Sequence, residues 1–249
     1  MRPWSSIPIA DCGEPLLELP GALPRLEPHP YAALGAPYGI GASPFRLRSG
    51  VIERLLLADA ALRRQQPGWR LTIFDAWRPL AVQRFMVEHA IAEECRLRGV
   101  DPHRPSPALA AVQAEVGRFW APPSDDPTTP PPHSTGAAVD LTLADAEGRE
   151  LNLGSPIDAI GAVSEPDHFA SGAPATTAGT AGASEAEAQA MEAEAREWHR
   201  RRTLLREAMA SAGFAQHPNE WWHFSWGDQL WAWRSGAACA RYGRWLETG

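Results

Sequence analysis

The chain has 249 residues, 44% of them hydrophobic and 21% charged, with a net charge of -7. That balance suits a folded protein with a substantial core and no Lys/Arg stripe for a nucleic acid backbone. Cys12, Cys95 and Cys239 are too far apart for a disulfide framework or a thiolate metal site, and no apolar run is long enough to span a membrane. Ile7-Pro8-Ile9-Ala10 is too short for a secretory signal, so the expected location is the cytoplasm.

Residues 1–48 are rich in Pro and Gly and are predicted to form an irregular N-terminal arm. From Ser49, Val51, Ile52, Leu55, Leu56, Ala58 and Leu62 recur at helical spacing until Pro67-Gly68 stops the helix. WRLTIFDA, at 69–76, reads as a strand covered on both faces. A second helix is predicted from about Pro79 to Arg98, ended by Gly99, and a third over about 107–119. The prolines of APPSDDPTTPPPH keep that segment a loop. Residues 137–143 read as a strand, with Val139 and Leu141 on one face and Asp140 and Thr142 on the other. An Ala/Gly/Thr tract at about 170–183 is of low complexity and reads as a loop. A helix at 184–212 begins acidic, ends basic and is closed by Gly213. WWHFSW, aromatic throughout, is predicted to be a strand. Helices and strands mix without βα alternation, so the expected class is α+β, in one domain covering 1–249.

Three clusters carry chemistry. In PPHSTGAAVD, three prolines hold His133 stiffly and Asp140 falls mid-strand, where a carboxylate is costly without a cation. An arginine partner or a metal would each satisfy it. In NEWWH, His223 is surrounded by tryptophans, and a hydrogen-bonded core histidine is the simplest alternative to a ligand. Glu220 can share a site with His223 only from the turn after Pro218, because residues three apart on a strand face opposite ways. Together the clusters offer two imidazoles, one ligating carboxylate and one spare carboxylate. That set suits a catalytic zinc with an open water position and Glu220 as general base. In DAWRP, Arg78 stands at a strand-to-helix junction, placed either to bind a developing oxyanion or to pair with a surface carboxylate.

In this order DAWRP, PPHSTGAAVD and EWWH resemble the D-alanyl-D-alanine dipeptidases, a branch of zinc peptidases with a DxxRP, SxHxxGxxxD and ExWH pattern. The resemblance runs from PYAALGAPYG through GSPID to WGDQLWAW, departing at Pro131, where the family pattern has Ser. It implies a compact fold with a central antiparallel sheet flanked by helices and one zinc ion held by His133, Asp140 and His223. It further implies Glu220 as base, Arg78 as transition-state stabiliser, Asp158 as receptor for the substrate ammonium, and a small dipeptide as substrate.

Three other functions fit parts of the pattern. A broader cell-wall peptide carboxypeptidase or endopeptidase would use the same metal set behind an open cleft. A non-catalytic zinc-containing peptide-binding protein would have no need of Glu220 or Arg78. Two His and one carboxylate also suit ferrous iron, although such oxygenases keep the first His and the acid closer in sequence.

Overall fold

The computed structural model describes residues 2–39, 41–171 and 184–246. From residue 172 onwards, the low-complexity tract expected at about 170–183 lies outside the described residues.

The predicted helices form where the apolar spacing and stop signals put them. They are α2 (Ser49–Gln65), α3 (Leu80–Arg98), α4 (Pro107–Phe119) and α5 (Glu185–Ser211). Pro79 caps α3 with an extended backbone rather than opening its first turn, and Gly99 ends it in the left-handed region. Ser106 accepts the Leu109 N–H to start α4, and a Ser184–Glu187 capping box starts α5.

The strands β3 (Arg70–Asp75), β4 (Ala138–Ala144), β5 (Ala215–Gln216) and β6 (His223–Ser225) make an antiparallel sheet of order β3-β4-β6-β5. One face carries Leu71, Ile73, Val139, Leu141, Leu143 and Phe224 into a core shared with Val51, Leu55 and Leu62 of α2 and Leu205 and Met209 of α5. A second cluster joins Val82 and Met86 of α3 to Val112 and Val116 of α4 and to Tyr31 and Tyr38 of the arm. With helices behind it and polar groups packed in front, β4 is buried along its whole length, Asp140 and Thr142 included. This is the α+β class with a central antiparallel sheet that the sequence led us to expect.

Two differences have physical causes. The arm is more regular than its composition predicts: β1 (Leu16–Glu18) pairs antiparallel with β2 (Arg46–Arg48), and α1 (Pro30–Ala33) lies between them. Strands of three residues are too short to show a period of two. In WWHFSW only His223–Ser225 pair as strand, while Trp221 and Trp222 lie in the preceding turn. Their aromatic content reflects burial, since both are 2% exposed. The C-terminal α6 (Gln229–Ser235), capped by Asp228, completes the described elements. Among the described residues no helix is long and apolar enough to cross a membrane.

Candidate metal centre

Register assembles the site. The β3–β4 pairing slips between Ile73 and Asp75, so Asp75 faces Asp140, and Asp140 in turn faces His223 across the β4–β6 ladder. Directly opposed residues project to the same side of a sheet. A bulge in β3 therefore lines up an acid, an acid and an imidazole in one row.

His133 enters from a single 3-10 turn, Pro132–Thr135, closed by Gly136 in the left-handed region at φ 70°. The left-handed backbone at Gly136 is what calls for glycine, and a Cβ there would also force the end of the Leu16 side chain to shift. The Arg78 backbone N–H donates to the His133 carbonyl at 3.2 Å, joining this turn to the end of β3.

The three candidate ligands converge. His133 Nε2 is 3.1 Å from His223 Nδ1 and 3.2 Å from Asp140 Oδ2, and His223 Nδ1 is 3.0 Å from Asp140 Oδ1. All three ligand atoms lie within 4.8 Å of one another and all three residues are buried. Donors at ordinary zinc distances in a tetrahedron stand about 3.3 Å apart, so the set fits one zinc ion closely.

The outer contacts fix which nitrogen faces the centre. His133 Nδ1 donates to the Ala76 carbonyl at 2.7 Å, leaving Nε2 its lone pair. The Ser225 hydroxyl donates to Asp228 Oδ2 at 2.7 Å and stands 3.3 Å from His223 Nε2. With its proton directed at Asp228, Ser225 accepts from His223 Nε2–H, so Nδ1 is the free nitrogen. Such outer partners orient metal-binding imidazoles.

Glu220 lies in the turn between β5 and β6, the position its sharing a site with His223 requires. Its Oε2 is 3.8 Å from His223 Nδ1. Its Oε1 is buried without a hydrogen bond among the described residues. His217 Nδ1 stands 3.3 Å from that oxygen, but burial first, then the nearby His223 and Arg2, push His217 well below the usual imidazole range. A neutral ring there cannot pair as a cation. Burial, reinforced by the Asp140 charge, raises Glu220 well above the ordinary carboxyl range. Burial also works to raise Asp140, but His133 and His223 outweigh it and hold that carboxyl well below its usual value.

Arg78 is not paired at the surface. It is buried, with Nε and Nη2 donating to Asp75 Oδ2 at 3.0 and 2.7 Å, Nη1 to Gln83 at 2.9 Å and Nη2 to Asp140 Oδ2 at 3.3 Å. His29 and Tyr38 hold the other oxygen of Asp75. Asp158 lines the same cavity, with Tyr31 donating to its Oδ2 at 2.8 Å. Its backbone is left-handed at φ 67°, a conformation that costs a non-glycine residue energy and is found where structure over-determines it. Burial, with the Asp140 charge, pushes Asp158 up to about 7.

All six residues singled out from the sequence therefore border one small cavity. Sequence reasoning missed Tyr31, Gln83, His217, Ser225, Asp228 and Arg2. His217 and Asp228 flank the quoted motif. Arg2 carries no signal at all.

Comparisons with known proteins bear on the family of the chain. A family model described as D-ala-D-ala dipeptidase (Peptidase_M15) matches residues 25–238. A D-alanyl-D-alanine dipeptidase from Synechocystis sp. is 44% identical over 237 residues, covering 94% of this chain and 90% of the relative. A solved structure of the vancomycin-resistance D,D-pentapeptidase VanY with Zn(II) is 14% identical, covers 95% of this chain and 97% of its own, and has a TM-score of 0.44. By the family match and the close relative, the chain belongs to the D-ala-D-ala dipeptidase family of M15 peptidases.

Proposed function

We propose that the protein is a zinc-dependent dipeptidase that hydrolyses D-Ala-D-Ala, with His133, Asp140 and His223 as ligands. The observation that carries this reading is the convergence of the three ligand atoms beside a buried carboxylate oxygen with no partner. When bound, zinc supplies a Lewis acid that polarises the scissile carbonyl and makes water acidic. Glu220 takes a proton from the attacking water and delivers it to the leaving amine. Burial raises its affinity for protons, which favours taking one up. Arg78, locked by Asp75 and Gln83, holds its guanidinium beside Asp140, where negative charge develops on the carbonyl oxygen. Asp158, aligned by Tyr31, receives the substrate ammonium.

The cavity amounts to about 30 Å³, little more than one water needs. Its walls must part even for a dipeptide. A second reading, a peptidase acting on longer cell-wall peptides, draws support from a groove of about 770 Å³ that shares Arg2, Trp120 and Pro132 with the cavity.

Incubating zinc-loaded protein with D-Ala-D-Ala, L-Ala-L-Ala and a D-Ala-D-Ala-ended pentapeptide separates the readings. Cleavage confined to D-Ala-D-Ala is expected. Equal turnover of the pentapeptide would favour the second reading, and failure to cleave any of the three would end both.

A further inference from the structure

We infer that Arg2, brought to the site by the N-terminal arm, is the receptor for the substrate's C-terminal carboxylate. This inference rests on the dipeptidase reading above and names a substrate contact that the motif residues leave unfilled.

Two cations border the cavity, Arg78 and Arg2. Arg78 gives four of its five N–H donors to Asp75, Gln83 and Asp140, and the reading above gives the fifth to the carbonyl oxygen, which leaves none for a second substrate group. Arg2 is different. Its Nη1 donates to His217 Nε2 at 3.1 Å and its Nη2 to the Gly117 carbonyl at 3.2 Å, near the end of α4. Its Nε is buried and has no partner among the described residues. A guanidinium has five N–H donors in a planar fork that matches a carboxylate, and a buried donor without a partner is costly. The Trp4 ring lies 5.4 Å from the guanidinium and packs against His217, tying the arm to this wall.

The placement suits a zwitterion. Asp158 is held from the Tyr31 side of the cavity, whereas Arg2 is held from the His217 side, next to Glu220. A fully extended dipeptide spans at most about 7 Å. Bound between Asp158 and Arg2, its ammonium and its carboxylate would each meet a counter-charge, with the scissile bond between them. Arg2 also borders the larger groove. A cation at that border, matched to a terminal carboxylate, admits a free C-terminus and disfavours a chain that continues.

The test uses zinc-loaded parent, Arg2→Gln and Arg2→Lys with two probes, D-Ala-D-Ala and its C-terminal amide, with zinc content and Tm measured alongside. Loss of a charge-assisted contact predicts a KM for D-Ala-D-Ala about tenfold to a hundredfold higher in Arg2→Gln, with kcat little changed. Arg2→Lys should recover part of this. The amide should bind the parent poorly and lose nothing further in Arg2→Gln. An unchanged KM in Arg2→Gln would overturn the inference, as would an equal loss on the free acid and the amide. If Arg2→Gln failed to fold, the parent alone decides: equal use of amide and free acid overturns the proposal. A parent inert towards both probes sinks the dipeptidase reading and this inference with it, whereas an active parent with an indifferent Arg2→Gln sinks this inference only.

Discussion

Asp75 and Glu220 are both buried carboxylates within reach of the same site, yet they sit in opposite conditions. Asp75 is saturated: Arg78 holds one oxygen, and His29 and Tyr38 hold the other. Burial alone would raise it, but the Arg78 charge wins and its carboxyl is lowered. Glu220 has one oxygen without a hydrogen bond, and its carboxyl is raised by the same burial. Buried polar groups are satisfied in the great majority of cases, so the exception asks for a missing partner. The Asp75 side is a frame that fixes Arg78. The Glu220 side is built to gain and lose a proton beside a cation.

Glu220→Gln gives this contrast its largest test. The amide keeps the size of the side chain and removes the base. Zinc content should stay at parent level while kcat on D-Ala-D-Ala falls by about 10²–10⁴-fold. A variant that hydrolyses the dipeptide at the parent rate would remove Glu220 from the chemistry.

An intermediate effect is expected at Asp228, behind His223. Its Oδ2 accepts from Ser225 and its Oδ1 accepts the Trp231 N–H that caps α6. Asn also caps helices well, so Asp228→Asn should leave α6 intact. An amide N–H facing Ser225 reverses the hydroxyl, however, so that it donates to His223 Nε2. The ring proton then moves to Nδ1, the nitrogen meant for the metal. Zinc affinity should fall by about tenfold to a hundredfold, read by competition with a chelator. Unchanged affinity would mean that Ser225 does not set the His223 tautomer.

How much of this was legible follows from the distances along the chain. Asp75, Arg78, His133, Asp140, Glu220 and His223 lie in three short motifs whose residue types announce a cation site. The helices were legible because apolar spacing and caps are local. The bulge between Ile73 and Asp75, which lines Asp75 up with Asp140 and His223, was not, because register is a property of two strands at once. Arg2 was illegible for a related reason. It is separated from His217 by 215 positions and reaches it only through the folded arm. Trp221 and Trp222 misled in the other direction: bulky aromatics imitate a strand wherever a turn is buried.

The last test reads stability, not activity or metal affinity, and concerns Asp158, a second raised acid on the cavity wall. Burial, with the Asp140 charge, lifts it to about 7, above the ordinary aspartate value of 3.8. Between those values the folded protein keeps a proton that the unfolded chain releases. The sign follows from linkage: Asp158 does not weaken the fold below about pH 4, and stability falls as pH rises towards 7. Metal-free protein should lose on the order of 3 kcal/mol across that window, or roughly 6–12 °C of Tm for a chain of this size. Zinc-loaded protein should fall less, because the cation offsets the new negative charge. Asp158→Asn cannot ionise, so its metal-free Tm should be flatter with pH than the parent's. Were the two to fall equally, the loss would come from another raised carboxyl, Glu220 or Asp228. Glu220→Gln and Asp228→Asn, already in hand from the first two tests, would then show which of the two flattens the curve.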